Sequence, residues 1–357
     1  MFSSRLSCLL LLAVTVVASP VVEPRADVTS LPLTLQRNVT GVNLIVDTGS
    51  SNTWVGAAKP YTPSDTSQNT GKPVGVAYGS GYFVGEEYTD RVTLSKQLVI
   101  NKQSIGDAEI SNGIAPFDGI LGVGPVDLTA GSLLLNRTEE IPTVTDNLYS
   151  QGTIPRPALG VYFAPAASDS PGGALTFGGA DSSLYTGHLQ KFPKTTTSPA
   201  SAYWGYDQSI TYGGKQILAK TAGIADTGTT LIYLPTDAYR AYMASTGAVE
   251  DQHTGLLRMQ LLLRAVSNKR SWDTLQEDFA LIPDAQLWPR SRNAEIGGTP
   301  DGYYLIVANI GSNSGQGLDF INGYAFLERY YSYYDTKDSK MGFATTKYTT
   351  AVVNSQT

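Results

Sequence analysis

Asp-Thr-Gly occurs twice in this chain, at Asp47–Gly49 and Asp226–Gly228. Each copy closes a short apolar run, Asn43-Leu-Ile-Val46 or Gly223-Ile-Ala225, and each is followed by hydroxyl residues, Ser50-Ser51 or Thr229-Thr230. Two carboxyls brought together cannot both ionise easily: repulsion raises one pKa and the pair shares a proton. The ionised member can act as general base on a water, while the protonated member hydrogen-bonds a substrate carbonyl and balances the developing charge. The chemistry indicated is hydrolysis. Gly49 and Gly228 let backbone N–H groups approach the carboxylate oxygens. Thr48 and Thr227 can tie one turn to the other, and Ser50 and Thr229 can hold the outer oxygens against rotation.

A second signal is Val76-Ala-Tyr78-Gly79-Ser-Gly81-Tyr-Phe83, an apolar strand that meets a glycine-rich tip and returns. It predicts a β-hairpin with a mobile end. Tyr78 at that end could close over an extended substrate and exclude water, with Trp54 as its partner. The remaining reactive side chains read as structural. His188 and His253 lack carboxylates at ligand spacing, Asp118 terminates a strand, and Ser50 and Ser51 do not sit in a nucleophile elbow. The tyrosines at 330, 331, 333 and 334 read as core and sheet surface. No metal or cofactor is expected.

The elements that must carry these residues are mostly strands. With 357 residues the chain can form one large or two medium domains, and 41% hydrophobic residues give it a core. Thirty-six glycines and 21 tyrosines favour turns and strands over long helices. A net charge of −6 without a basic stripe argues against nucleic acid as partner. Arg5 followed by the apolar run Leu9–Val17 reads as a secretory signal over 1–18, and no later run is long enough to span a membrane. The single cysteine, Cys8, lies in that segment, so the secreted chain has neither disulfides nor thiol chemistry. Asn38 and Asn136 open glycosylation sequons. Short strands are predicted at 44–46, 75–78, 82–84, 91–94, 98–100, 120–124 and 173–179. Helices are predicted at 142–150 and 235–245, with Pro235 in the first turn of the latter. Residues 256–282 break the pattern and carry no assignment.

Taken together, Val46–Gly56, Tyr78–Gly81, Phe117–Gly124, Ile141–Leu148, Gly223–Thr230 and Asp319–Tyr331 closely resemble the pepsin-like aspartic proteases of family A1, in the manner of the secreted fungal enzymes. The resemblance implies a mostly β, bilobed fold with a central cleft. It implies catalysis by Asp47 and Asp226, a flap carrying Tyr78, and Gly122 and Gly323 in strands crossing behind the two turns. The activity implied is acid endopeptidase cleavage of extended polypeptides near large apolar side chains, by a secreted monomer made as a zymogen. The organisation that follows is a signal at 1–18, a propeptide-like segment at 19–41, an N-terminal lobe at 42–172, a C-terminal lobe at 173–346 and a tail at 347–357. Three features depart from the family. Leu31–Gly41 looks like the start of a prosegment yet runs directly into Val42–Val46, as though a strand hairpin were missing, which predicts unpaired sheet edges. Residues 256–282 stand where strands are expected. Ala225 is small for its position. Two other readings compete: an inactive homologue that binds peptide, and a carboxylate-pair glycoside hydrolase.

Overall fold

The computed structural model describes residues 29–34, 41–168, 172–259, 272–274 and 279–356. The signal segment, Asn38 and most of the 19–41 segment lie outside the described residues. In chain order the first half contributes β1 (Thr29–Thr34), β2 (Leu44–Asp47), β3 (Thr53–Val55), β4 (Gln68–Ala77), β5 (Tyr82–Thr93), β6 (Val99–Asn112), β7 (Gly119–Gly122), α1 (Val144–Ser150), β8 (Ala158–Phe163) and β9 (Gly172–Phe177). The second half contributes β10 (Thr186–Pro193), β11 (Gly205–Tyr212), β12 (Lys215–Ala225), β13 (Ile232–Leu234), α2 (Thr236–Thr246), β14 (Val249–Glu250), β15 (Leu257–Arg258) and β16 (Trp272–Thr274). It ends with β17 (Tyr304–Leu305), β18 (Val307–Asn309), β19 (Phe320–Asn322), α3 (Tyr324–Leu327), β20 (Tyr330–Asp335) and β21 (Lys340–Thr345).

Three six-stranded sheets organise most of these strands, and β14, β15 and β17 form a small fourth sheet. The N-terminal lobe is built on β2-β7-β3-β6-β5-β4 and the C-terminal lobe on β16-β11-β12-β19-β13-β18. A third sheet, β1-β9-β8-β20-β21-β10, takes strands from both halves and joins the lobes. Local sequence explains the main strands. Gly-Ile-Leu-Gly of β7 is buried throughout, as a short continuous apolar run should be between two neighbours. From Tyr82, β5 starts by alternating exposed and buried residues, as in a strand with one face on the core. Helix α1 opens on a capping box between Thr143 and Asp146. Pro235 caps α2 from outside its first turn, and Gly247 ends it at φ 68°.

The two lobes repeat one unit. Parallel pairing joins β2 to β7, which runs antiparallel to β3. In the same way β12 is parallel to β19, which runs antiparallel to β13. Register matches as well: Val46, before the first aspartate, faces Leu121, and Ala225, before the second, faces Asn322.

Some expectations are refined. Residues 31–34 of the prosegment-like stretch Leu31–Gly41 belong to Thr29–Thr34, an edge strand paired antiparallel with β9 from Thr29 opposite Phe177 to Thr34 opposite Gly172. Pro32 lacks an N–H to donate, which an edge strand tolerates. The tyrosines at 330, 331, 333 and 334 all lie on β20, directly after α3. Within 256–282, Leu256, Leu257 and Met259 are buried and β16 extends the C-terminal sheet. The boundary placed at 172/173 falls at the start of β9, inside the β8–β9 hairpin of the joining sheet.

Candidate active site

Each Asp-Thr-Gly turn leaves the end of a buried strand and aims its carboxyl at the other lobe. Asp47 is 6% exposed and Asp226 9%, so both acids are withdrawn from bulk water. Gly49 N–H donates to Asp47 Oδ1 at 2.8 Å and Ser50 Oγ to Asp47 Oδ2 at 2.5 Å. The second half repeats this: Gly228 N–H donates to Asp226 Oδ1 at 2.8 Å and Thr229 Oγ1 to Asp226 Oδ2 at 2.5 Å. Each carboxyl is thereby held by one backbone and one hydroxyl donor and cannot rotate freely.

The glycines are also required by space. A Cβ on Gly49 would lie 2.5 Å from Asp226 Cγ, and one on Gly228 would collide with the Asp47 carboxyl. Each aspartate therefore occupies the room that the opposite glycine leaves open.

Beneath the carboxyls the threonines cross-link the lobes. Thr48 N–H donates to Thr227 Oγ1 and Thr227 N–H to Thr48 Oγ1, both at 3.0 Å. The hydroxyls pass their own protons on, Thr48 Oγ1 to the Ala225 carbonyl at 3.0 Å and Thr227 Oγ1 to the Val46 carbonyl at 2.7 Å. All four bonds are buried, which removes water as a competing partner and fixes the spacing of the turns.

Electrostatics follow from this packing. Burial pushes the Asp47 carboxyl well above the usual aspartate range, and the neighbouring Asp226 charge and a hydrogen bond with Asp226 push it further. Ser50 and the Gly49 N–H pull in the opposite direction but do not cancel the rise.

The hairpin of β4 and β5 carries Tyr78 and Gly79 at its tip, where Tyr78 N–H donates to the Gly81 carbonyl at 2.7 Å. Trp54 Nε1–H donates to the Tyr78 hydroxyl at 2.8 Å. Trp54 is fully buried and stacks on Phe83 with ring centroids 4.4 Å apart. Burial and the Asp47 charge push the Tyr78 phenol far above its ordinary value, so it stays a neutral hydroxyl across the acid range.

Every residue singled out for the pair and the flap thus meets at one site. Asn136 lies on the surface of the N-terminal lobe, and His188 and His253 are exposed. Asp118 accepts the Asn43 N–H at 2.6 Å, a structural bond at the strand end. Gly122 ends β7, and Gly323 follows β19 by one residue. Two features were not read from sequence. Phe83 reads in the sequence only as part of the hairpin, yet its ring packs as the floor under Trp54. Asn322 sits fully buried behind the second turn and donates to the Tyr206 hydroxyl at 2.6 Å and to Gln208 Oε1 at 3.2 Å. The available signal was an asparagine inside the apolar run Phe320–Gly323.

Comparison with known proteins gives a consistent picture. The family described as eukaryotic aspartyl protease matches residues 33–346. Polyporopepsin of Irpex lacteus is 54% identical over 317 residues, covering 88% of this chain and 93% of that protein. Human gastricsin is 31% identical over 325 residues, covering 85% of this chain and 77% of its own. The crystal structure of the aspartic proteinase from Irpex lacteus matches with a TM-score of 0.85 at 54% identity, over 88% of this chain and 92% of that one.

Proposed function

The chain belongs to the eukaryotic aspartyl protease family and is an aspartic endopeptidase acting on polypeptides, and from that premise we propose that Asp47 and Asp226 are its catalytic pair. The observation that carries this is the mutual fit of each carboxyl into the space over the opposite glycine. Aspartic proteases are the standard case of two carboxyls sharing one proton. Here the shared proton leaves one oxygen basic enough to deprotonate a water between the acids. The water oxygen then attacks the scissile carbonyl carbon, while the protonated carboxyl donates to the carbonyl oxygen. Proton transfer to the amide nitrogen allows the C–N bond of the tetrahedral adduct to break. Thr48, Gly49, Ser50, Thr227, Gly228 and Thr229 hold the carboxyls in this geometry. Tyr78 and Gly79 sit on a flap, held by Trp54 beneath it, that covers the cleft between the lobes at 42–172 and 173–346. Substrates bind extended, with large apolar side chains at the scissile bond.

The reading of this chain as an inactive peptide binder is not supported, since both carboxyls keep their full set of donors. Asp47→Asn and Asp226→Asn should each lower kcat on a denatured protein substrate at pH 3–5 by at least about a thousandfold, with unchanged circular dichroism. A folded variant that keeps a tenth of the activity would remove that residue from the pair.

The sequence further supports export directed by 1–18, a propeptide-like segment at 19–41 and action as a monomer. Among the described residues no helix is long and apolar enough to cross a membrane. Secreted material should begin at Ser19, lose the following segment on acidification, and sediment as one chain. A stable N-terminus at Ser19 in active acidified enzyme would count against the propeptide reading.

A further inference from the structure

The outward face of the flap hairpin is apolar where it meets the segment after β7. Val84 on β5 faces Ile110 on β6 across the sheet and Gly75 on β4 on its other side. Gly75 leaves a gap that the neighbours border: a Cβ there would lie 3.4 Å from Val84 Cγ2 and 3.8 Å from Leu134 Cδ2. Val84, Ile110 and Leu134 thus form one patch, exposed by 40%, 59% and 37%, and Leu135, which follows Leu134 in the chain, is 82% exposed. Grouped exposed side chains of this kind mark a surface that something covers, unlike a lone exposed leucine.

The sequence places a specific cover beside it. Asn136 follows Leu135 directly and opens the sequon Asn136-Arg137-Thr138. Asn136 and Thr138 are exposed, in successive turns closed by Asn136 N–H to the Leu133 carbonyl and Glu139 N–H to the Asn136 carbonyl. Thr138 Oγ1 donates to Asn136 Oδ1 at 3.2 Å, and Asn136 Nδ2 donates to Glu139 Oε2 at 3.0 Å. Glu139 is itself held by Lys72 at 2.6 Å, which ties the loop to β4. Only one Nδ2 hydrogen is engaged, so the other can be replaced by a sugar without breaking this anchor.

We propose that Asn136 carries an N-linked glycan whose first sugars lie over Val84, Ile110, Leu134 and Leu135. The donor is a lipid diphosphate-linked oligosaccharide. A bond forms between Asn136 Nδ2 and sugar C1, the C1–O bond to the diphosphate breaks, the lipid diphosphate leaves, and one amide proton is lost. The pyranose presents a C–H face and an acetyl methyl to the patch and its hydroxyls to water, which suits a bulky, solubilising surface group. The sugar lies on the outward face of the flap hairpin, two residue pairs from the Ala77–Tyr82 pair beside its tip.

The proposal rests on the reading that the chain enters the secretory pathway, and the test separates the two. The full chain is expressed in a glycosylating eukaryotic host, once with its own residues 1–18 alone and once behind an unrelated leader. Glycopeptide mapping with peptide:N-glycosidase should convert Asn136 to Asp in both preparations. Conversion only behind the unrelated leader keeps the site and overturns the export reading; conversion in neither overturns the site. Asn136→Gln and Thr138→Ala should each raise binding of an apolar dye several-fold and promote self-association. Neither change should alter dye binding once Leu134→Ser and Leu135→Ser are present. A glycan whose loss leaves dye binding and sedimentation unchanged would overturn its role as the cover.

Discussion

The two halves of the site are alike at the carboxyls and unlike one layer behind them. At the front, each aspartate has one backbone N–H and one hydroxyl at matching distances, and the threonine bonds are reciprocal. Behind the first turn the facing residue is apolar Leu121; behind the second it is Asn322, bonded to Tyr206 and Gln208. Strand β12 has a sheet neighbour on each side, β11 and β19, whereas β2 lies at the edge of its sheet among the described residues, paired with β7 alone. Among the described residues only the N-terminal half carries a flap hairpin at the site. Shared-proton chemistry needs symmetry where the acids meet and tolerates different solutions for supporting them.

Exchanging the supports should break the comparison most visibly. Leu121→Asn removes an apolar side chain from a buried site and leaves an amide without partners, at a cost of about 3 kcal/mol. Asn322→Leu removes the amide that donates to the Tyr206 hydroxyl and the Gln208 amide oxygen, leaving them only their 3.5 Å bond to each other, and should cost about 2 kcal/mol. Urea unfolding followed separately in each lobe would measure both. Equal, small losses would mean that the two supports are interchangeable.

The next effect concerns charge. The Asp47 carboxyl is raised in the folded chain, so the fold binds the extra proton more tightly than the unfolded chain does. Its contribution is fully present below the ordinary aspartate pKa and declines as pH rises through the raised value. Melting temperature should therefore fall from acid toward neutral pH, and Asp47→Asn should flatten that slope. A slope unchanged in Asp47→Asn would place the pH dependence at other groups.

The flap should respond more modestly. Trp54→Phe removes the N–H donated to Tyr78 but keeps a ring against Phe83. KM for an extended peptide should rise several-fold while kcat changes less. An unchanged KM would separate the Trp54–Tyr78 bond from substrate closure. The smallest effect is expected in hydrogen exchange: the peptide spanning 42–48 should exchange faster than that spanning 221–227, since local opening is easier at a sheet edge.

What was legible in the sequence divides along the same line. The Asp-Thr-Gly turns, their hydroxyl neighbours and the Tyr78 hairpin are local patterns, and the fold brings them together as read. The Asn322 network depends on contacts with β11 at a separation of 116 residues for Tyr206, which no local pattern reports. The run 325–334 mixes aromatic and apolar residues with Glu328, Arg329 and Ser332, and its packing divides it into α3 and β20. The stretch Leu31–Gly41 resembles the start of a prosegment, while the place of 29–34 in the joining sheet depends on β9, far along the chain.

The pH dependence of kcat/KM on a neutral peptide, from strongly acid to neutral, tests the shared proton most directly. The expected profile falls on both sides, with the alkaline limb above the ordinary aspartate range and lost in Asp47→Asn and Asp226→Asn along with activity. A rate that climbs to a plateau at neutral pH through a single ordinary carboxylate ionisation would contradict it, because a lone base needs no proton held between two acids.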